Sequence, residues 1–332
     1  MNIHKYHLCT AVILPAAALL LCSCGERGSS KSGFLLDTAV SVKVYSKNSD
    51  ETAAAAMDRL RASDVCFSKV CGSGGTLTDE DADRINGIIR FTEDVNDRYG
   101  GKVDLFCGEL TSLWGISGDS PRVPRDDEIS AVLEDMKSLP EDIQLSAGES
   151  PGYVDLGAAA KGAACDDVYE NVPAGDGWCI VSAGSSAVMY GSKEGGFTIA
   201  VRSPDDPDGG YLGRIKTDGC FLSTSGGYER FFEADGKRYT HIFDCETGFP
   251  ADTDLTSVTV ICPLAGNGGL RSDIMSTMIY AGGSAELGKY AAAEDIGIIA
   301  ADEDKNIYIY GSGFEFEPDE SIGDQYTIWK EN

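Results

Sequence analysis

Two oxygen-bearing side chains, those of Asp273 and Thr277, lie four residues apart in the segment SDIMST. Residues at this spacing share one face of a helix, so the carboxylate and the hydroxyl would project to the same side. Mg²⁺ prefers such oxygen ligands and keeps further positions for water and phosphate. Ser276 lies beside them but points about 100° away around the helix. The spacing indicates a cation site, although a first-turn acid at a helix N-terminus and a hydroxyl at the core edge would explain it too.

A second candidate segment, YVDLGAAAKGAACD, spans residues 153–166 and places a lysine after a run of small residues. Glycine lets a ligand approach the backbone closely, so carbonyl groups in this run could face a cation. Lys161 could meet a phosphate as a point charge. The segment lacks the spacing of a Walker loop or of a GxGxxG dinucleotide loop. Taken alone, it also fits an ordinary loop-to-helix junction.

His241 is the third candidate, in the segment STSGGYERFFEADGKRYTHIFDCETGFP at residues 223–250. The other two histidines, His4 and His7, lie at the extreme N-terminus. A histidine near a carboxylate, here Asp244, can act as a general acid or base near neutral pH. A structural histidine fits the segment equally well. A Ser/His/Asp hydrolase is not favoured, because the chain has no GxSxG nucleophile elbow.

The N-terminus predicts an exported lipoprotein. The basic stretch MNIHKYH precedes the apolar run LCTAVILPAAALLL, which is too short to span a bilayer comfortably. The sequence LCSCG then resembles a bacterial lipobox, with cleavage before Cys24 and lipidation of that residue, although an ordinary signal peptide is an alternative. We expect a signal peptide at residues 1–23, lipidated Cys24 with a flexible tether at residues 24–33, and attachment to the extracytoplasmic side of the cell membrane.

The composition excludes one class of partner and leaves the redox state open. The chain of 332 residues carries a formal net charge of −27, which repels nucleic acid, so we expect no nucleic-acid binding. Of the 11 cysteines, two precede the predicted cleavage site and one would carry lipid, which leaves eight. Their irregular spacing and the single remaining histidine do not favour zinc. Disulfides, which are common in exported proteins, and free thiols both stay open.

The elements that would position the candidate residues change character along the chain. Periodicity and capping residues predict helices at about residues 50–70, 78–100, 104–117 and 124–140, with another beginning near Ala158. An opening strand is predicted at residues 35–46, and most other strands follow residue 177, including a hairpin at the Asp-Gly pair 235–236. The pattern predicts a single α+β domain at residues 34–330, with antiparallel strands mainly in its second half.

Taken together and in this order, the motifs resemble those of the ApbE family of flavin transferases. The resemblance includes the opening segment LLDTAVSVKVY, the segment GGKVDLFCGELTSLWG, and the segment VDLGAAAKGAACD. It continues through residues 223–250 and the segments LTSVTVICP and SDIMSTMIYAGG, so that it spans about residues 34–290. The chain departs from the family where Ser182 and Ser185 replace an asparagine and a glycine.

The resemblance implies transfer of FMN from FAD to a threonine or serine of a partner flavoprotein, with release of AMP. It implies FAD as substrate, a divalent cation expected to be Mg²⁺, and an exported FMN-accepting redox protein as partner. His241 would be the base or a substrate-orienting group. The implied metal ligands are the Ala158 carbonyl, Asp273 and Thr277, with Ser276 at an occasional ligand position; the implied FAD contacts are Leu36, Lys102, Val103, Asp104, Asp155, Lys161 and Phe243.

Two other functions would use the same residues. An FAD pyrophosphatase would hydrolyse FAD to FMN and AMP, with water in place of the acceptor hydroxyl. A non-catalytic flavin-binding lipoprotein would keep the fold and the flavin contacts alone. The retained Asp273, Thr277, Lys161 and His241 argue against the second of these, and the sequence leaves transfer and hydrolysis open.

Overall fold

Helices occupy most of the first half of the described chain, as the periodicity predicted. The computed structural model describes residues 28–331, except 71–74, 102, 141, 207–208 and 293–295. The α-helices in this part are α1 (Ser49–Phe67), α2 (Asp79–Tyr99), α3 (Gly108–Trp114), α4 (Asp126–Lys137), α5 (Ala160–Asn171), α6 (Gly268–Gly282) and α7 (Leu287–Ala291), and short 3₁₀ helices span Ser284–Glu286 and Glu320–Gln325.

Strands follow mainly after α5, and they are short. In chain order they are β1 (Gly28–Leu35), β2 (Thr38–Tyr45), β3 (Trp178–Ala183), β4 (Ser186–Gly191), β5 (Phe197–Arg202), β6 (Tyr211–Thr217), β7 (Cys220–Gly226), β8 (Phe231–Ala234), β9 (Lys237–Thr240), β10 (Phe243–Asp244), β11 (Phe249–Pro250), β12 (Leu255–Cys262), β13 (Gly297–Asp302), β14 (Asn306–Tyr310), β15 (Glu315–Pro318) and β16 (Thr327–Glu331).

A nine-stranded sheet organises the domain, with the order β1-β2-β3-β4-β7-β12-β13-β14-β16. Its neighbours pair antiparallel except β14 and β16, which run parallel. A smaller sheet has the order β15-β6-β5, and two hairpins pair β8 with β9 and β10 with β11. Strand β7 lies near the middle of the large sheet, so its side chains reach both faces of the core.

The two faces of the large sheet are covered differently. Helices α1, α5 and α6 pack on one face, where their apolar side chains join those of β2, β7 and β12 in the larger core. The smaller sheet covers the other face through a second apolar cluster. A third cluster surrounds Trp114 and joins α3 and α4 to the hairpin strands β8, β9 and β10. The α+β class and the single domain are therefore confirmed.

Local sequence explains several of these boundaries. Thr78 and Asp81 form a capping box at the start of α2, where Thr78 Oγ1 accepts the Asp81 N–H at 3.2 Å and Asp81 accepts the Thr78 N–H at 2.9 Å. The β8–β9 hairpin turns at Asp235 and Gly236, whose φ angles of 52° and 77° suit a type I′ turn. The sequence predicted both features.

The first hairpin corrects two predictions. The stretch at residues 35–46 is not one strand: β1 and β2 form a hairpin that turns at Leu36 and Asp37. Residues 28–33, expected in a flexible tether, belong to β1 and pair with β2. Their polar side chains suit an exposed edge strand. Backbone hydrogen bonds to β2, rather than burial of apolar side chains, make this segment a strand. Cys24 and the predicted signal peptide lie outside the described residues.

Candidate active site

Asp273 lies where α5 and α6 cross at very short range. A β-carbon on Gly162 would lie 2.2 Å from the Gly269 carbonyl oxygen, so this crossing requires glycine. The Asp273 side chain is almost fully buried, with 2 % of the residue exposed. Its Oδ2 accepts the N–H of Gly162 at 2.9 Å, and its Oδ1 accepts the hydroxyl of Ser186 at 3.2 Å. The helix crossing therefore fixes the orientation of the carboxylate.

Thr277 and Ser276, the other two predicted side-chain ligands, differ in their surroundings. Thr277 Oγ1 is half-buried and lies 3.2 Å from both the Asp273 carbonyl oxygen and Ser225 Oγ. Ser276 is completely buried, and its hydroxyl lies 2.9 Å from Ser225 Oγ and 3.0 Å from the Asp273 carbonyl oxygen. Of the two hydroxyls, only that of Thr277 is on the accessible side.

The loop before α5 and the start of that helix contain three predicted residues, one of which contacts Asp273. Asp155 Oδ1 accepts the Gly157 N–H at 2.7 Å, which closes a tight turn. Lys161 is the second residue of α5; its Nζ donates to the Gly157 carbonyl at 3.1 Å and lies 3.7 Å from Asp273 Oδ1. Ala158 lies between Asp155 and Lys161 in the chain and is half-buried. The structure thus places Lys161 against Asp273, and Asp155 and Ala158 in the loop that leads to Lys161.

His241 is held by the backbone of Arg230. Its Nδ1 lies 3.1 Å from the Arg230 carbonyl oxygen, and its backbone N–H donates to the same oxygen at 3.2 Å. A carbonyl oxygen only accepts, so Nδ1 carries the proton and Nε2 keeps a lone pair. Burial lowers the pKa of His241 to about 4, and the positive charges of Arg230 and Lys161 act in the same direction. The imidazole is therefore neutral at pH 7 and can accept a proton at Nε2.

The expected carboxylate neighbour of His241 has another role. Asp244 Oδ1 accepts the N–H groups of Glu246 at 2.8 Å and Thr247 at 3.4 Å, which closes the turn between β10 and β11. Asp244 therefore serves its own turn, and the His241 ring bonds the Arg230 carbonyl instead. The Asp244 carboxylate bonds backbone N–H groups of its own turn. Such an Asx turn needs no partner from a distant part of the chain.

Arg230 also joins His241 to the turn between β1 and β2. Its guanidinium donates to the Asp37 carbonyl at 2.9 Å. Leu36 and Asp37 both have φ of 53°, a left-handed conformation that costs energy for residues with a side chain. The Leu36 N–H donates to Asp64 of α1 at 2.7 Å, which holds the turn from the other side. Leu36, a predicted flavin contact, is thus presented on a strained turn that is fixed at both residues.

Two further predicted flavin contacts lie beside a cavity of about 410 Å³. Val103 and Asp104 line it, together with residues of α2 and the turn residue Cys245. Asp104 Oδ1 accepts the Phe106 N–H at 2.7 Å, and the Asp155 N–H donates to the neighbouring Leu105 carbonyl at 2.8 Å. This bond connects the cavity to the loop before α5.

Two predicted contacts are placed differently. The ring of Phe243 packs against Trp114, with 6.0 Å between the ring centroids, as part of the third apolar cluster. Lys102 lies outside the described residues. Val103 and Asp104 thus line a cavity in the structure, whereas Phe243 packs against Trp114.

Two groups at the site were missed by the sequence interpretation. The Glu229 carboxyl group lies within the influence of Lys161; burial raises its pKa while the charges of Lys161, Arg202 and Arg230 oppose that effect. Ser186 donates to Asp273 from the start of β4. No local sequence signal identifies Ser186, because its contact depends on how the sheet packs on α6.

The described cysteines are free thiols, although two of them touch. These are Cys66, Cys107, Cys165, Cys179, Cys220, Cys245 and Cys262. The hydrogen bond between Cys107 and Cys245, together with burial, raises the pKa of the Cys107 thiol. Within the described ranges, no helix is long and apolar enough to cross a bilayer. The same part of the chain holds no cluster of three or more His, Cys, Asp or Glu residues suited to a metal.

A carboxylate in contact with a lysine, and a neutral histidine on which the charge of that lysine acts, suit chemistry on a phosphorylated substrate. The family model described as the ApbE family matches residues 36–300. This chain belongs to the ApbE family.

Curated relatives and solved structures agree with this placement. The chain is 27% identical over 286 residues to an FAD:protein FMN transferase of Treponema pallidum, with 73% of this chain and 77% of that protein covered. It is 28% identical over 190 residues to an FAD:protein FMN transferase of Escherichia coli, and the match spans about half of each chain, 54%.

Two solved structures share the fold. A crystal structure of the ApbE protein of Thermotoga maritima superposes with a TM-score of 0.68 at 25% identity, covering 89% of this chain and 98% of that one. The flavin transferase ApbE of Vibrio cholerae gives a TM-score of 0.67 at 21% identity, covering 91% of this chain and all of the other, 100%. The second likeness concerns the fold alone.

Proposed function

We propose that this protein is an FAD:protein FMN transferase that moves FMN from FAD to a threonine or serine of an exported partner flavoprotein and releases AMP. The observation that carries the proposal is the contact of Lys161 with Asp273 at 3.7 Å, together with a neutral His241 on which the charge of Lys161 acts. Membership of the ApbE family supports it, as do the names of the relatives. The chemistry needs a cation site, a phosphate contact and a base, and these residues can supply all three.

The donor set fits Mg²⁺. Asp273 and Thr277 offer a carboxylate and a hydroxyl, and the Ala158 carbonyl adds a neutral oxygen. The Asp273 carboxylate is held by Gly162 and Ser186, so it is oriented before a cation binds. Mg²⁺ bound there would offset the charge of the pyrophosphate and assist the departure of AMP. Ser276 stands behind this set as a partner of Ser225.

The protein residues handle the proton and the substrate charge. The acceptor hydroxyl gives its proton to Nε2 of His241 while its oxygen attacks the phosphorus of the FMN half. The phosphoanhydride bond breaks, and AMP leaves with the bonding electron pair. Lys161 contacts the phosphate groups, and Leu36, Val103, Asp104 and Asp155 bind the remainder of FAD.

The deciding experiment measures the mass of an acceptor domain. Mature protein, FAD, Mg²⁺ and an exported FMN-binding domain with a threonine acceptor are incubated, and the acceptor should gain one FMN with loss of water. An acceptor variant with that threonine changed to valine is the control and should gain nothing. An unmodified acceptor with free FMN and AMP in solution would instead establish the hydrolase, and absence of FAD binding by fluorescence would contradict both.

Asp273 should be essential to the metal dependence. Asp273→Ala removes the only charged group in the proposed ligand set, so transfer at saturating FAD should fall by about 10²-fold or more. Residual transfer should no longer respond to Mg²⁺ concentration. Full Mg²⁺-dependent activity in this variant would show that the ligand assignment is wrong.

The proposal includes attachment to the extracytoplasmic side of the cell membrane through lipidated Cys24, as the LCSCG sequence predicts. The test is fractionation of cells that express the full chain or its Cys24→Ser variant. The full chain should be in the membrane fraction and released only by detergent, whereas the variant should lose the lipid mass. An unmodified N-terminal peptide from the full chain would contradict the lipid anchor.

A further inference from the structure

A chain of buried hydroxyl groups leads to the carboxylate of Asp273. Ser186 donates to Asp273 Oδ1 at 3.2 Å, and Ser223 donates to Ser186 Oγ at 2.9 Å. Ser272 Oγ lies 2.9 Å from Ser223 Oγ and 2.8 Å from the Gly269 carbonyl oxygen. The three serines are at most 1 % exposed. They come from β4, β7 and α6, so the chain spans the interface between the sheet and the helix.

The Asp273 carboxylate at the end of this chain determines which hydroxyl donates to which. A carboxylate only accepts, so the Ser186 proton is directed to Asp273. Ser186 then has only lone pairs for Ser223, which must donate to it. Ser272 directs its own single proton to the Gly269 carbonyl at 2.8 Å, so that proton is not available to Ser223. Hydrogen bonds aligned in one direction polarise one another, so the Ser186 donation is strengthened by that of Ser223 behind it.

Hydroxyl groups at these positions need an explanation, because their surroundings are apolar. Ser223 projects to the same face of β7 as Phe221, and the larger core on that face includes Val188 and Val258. Burying a hydroxyl without a partner costs about 1–3 kcal/mol by protein mutational data. Alanine would fill nearly the same space without that cost. What Ser223 and Ser186 add over alanine is the ordered donation to Asp273.

We propose that Ser186 and Ser223 are positioning residues that orient the Asp273 carboxylate for a divalent cation. The inference rests on the proposed function only in that Asp273 is taken as a cation ligand. The Ser186 and Gly162 donors hold one lone pair on each carboxylate oxygen. The remaining lone pairs are left for other partners; Lys161 Nζ lies 3.7 Å from Oδ1, and the half-buried Thr277 hydroxyl lies one turn along α6.

The test measures Mg²⁺ binding rather than transfer. Mg²⁺ alone is titrated into the mature protein by calorimetry, and Ser186→Ala should bind it about 10–100-fold more weakly than the unchanged protein. Ser223→Ala keeps the Ser186 hydroxyl that donates to Asp273 but removes the hydrogen bond that Ser186 accepts. The loss of Mg²⁺ affinity in this variant should therefore be smaller than in Ser186→Ala. In transfer assays, Ser186→Ala should require more Mg²⁺ for half-maximal rate and recover its kcat at saturating Mg²⁺.

A matched control lies on the same strand. Thr224 and Thr259 pair their hydroxyls at 2.8 Å on the opposite face of the sheet, away from Asp273. Thr224→Val removes a hydroxyl bond of the same kind and should leave Mg²⁺ affinity unchanged. Thermal unfolding of all variants separates loss of fold from loss of binding, and Ser223→Ala supplies the result if Ser186→Ala does not fold.

Three outcomes would overturn the inference: equal Mg²⁺ affinity in Ser186→Ala and the unchanged protein, an equal loss in Thr224→Val, or no Mg²⁺ binding by the unchanged protein. The proposed function fails separately. If the unchanged protein binds Mg²⁺ and Ser186→Ala weakens that binding, but no acceptor gains FMN, the serine chain still positions Asp273 and the transfer proposal alone is wrong.

Discussion

The protonation state of one imidazole sets the pH range in which the proposed transfer can run. With the pKa of His241 lowered to about 4 by burial, Nε2 is free to accept a proton throughout the neutral range. The kcat for transfer should therefore stay level from neutral pH down to about 5 and fall through about pH 4. A midpoint near 6.5, the ordinary value for histidine, would contradict this assignment.

The same depressed pKa predicts how stability depends on pH. Between about pH 4 and 6.5 the unfolded chain binds more protons at His241 than the folded chain does. The stabilisation associated with His241 is therefore complete above that window and is lost as the pH falls through it. Urea unfolding of the unchanged protein and of His241→Gln should diverge in this window, with the flatter pH dependence in the variant.

Removal of the imidazole tests its role in the reaction. His241→Ala should lower kcat by about 10²-fold or more, because general-base catalysis contributes on that scale. The KM for FAD should change little, since the proposed FAD contacts are made by other residues. An unchanged kcat would leave His241 with a structural role.

At the scale of elements, the crossing of α5 and α6 is the contact that the site depends on most. In Gly162→Ala the new β-carbon would meet Gly269 and also lie 2.8 Å from the Asp273 β-carbon. We expect destabilisation of about 1–3 kcal/mol, with a further loss of Mg²⁺-dependent activity. Gly87→Ala in α2 is the control, because nothing lies within 4 Å of its β-carbon position. It should stabilise the protein by up to about 1 kcal/mol.

In the strained turn between β1 and β2, we expect a substitution to stabilise the protein, whereas Gly162→Ala should destabilise it. Asp37→Gly removes the cost of a left-handed φ of 53° while the Leu36 side chain stays in place. The free energy of unfolding should rise by a few tenths to about 1 kcal/mol, measured by urea denaturation. Asp235→Gly, in the turn between β8 and β9 with φ of 52°, should behave similarly. A stability loss in Asp37→Gly alone would show that its side chain has a role that outweighs the strain.

Elements with their own periodicity were predictable, and those without it were not. Helix α2 was found from its Thr78 cap and apolar repeat, and the hairpin at Asp235 and Gly236 from its turn residues. Strand β1 was missed because GSSKSGFL has neither alternation nor apolar content, and only its pairing with β2 makes it a strand. Strands β10 and β11 were missed because each is two residues long.

The same division holds for the site. The motifs pointed to Asp273, Lys161 and His241, and the structure places Lys161 against Asp273. The groups that hold these residues come from elsewhere: Ser186 for Asp273, and the Arg230 carbonyl for His241. Which hydroxyl or backbone carbonyl becomes the partner depends on how distant segments pack together. No local sequence pattern indicates it.

For the whole molecule, the dominant property is its charge. A formal net charge of −27 makes the folded surface repel itself. Raising NaCl from about 0.01 M to about 0.15 M shortens the Debye length from about 30 Å to about 8 Å, so it should relieve that repulsion. Differential scanning calorimetry should show a rise in Tm over this range. A flat or falling Tm would show that local ion pairs outweigh the net charge.

The edge strand β1 bears on how far the domain could stand from a membrane. Because β1 begins at Gly28, only residues 25–27 separate Cys24 from the sheet, instead of the nine expected for a flexible tether. A chain extends by at most about 3.6 Å per residue, so the first residue of the sheet could lie no more than about 15 Å from a lipidated Cys24. That distance is less than a lipid bilayer is thick. An anchored enzyme of this kind would work within a thin layer above the lipid headgroups, and its acceptor would have to present its threonine there.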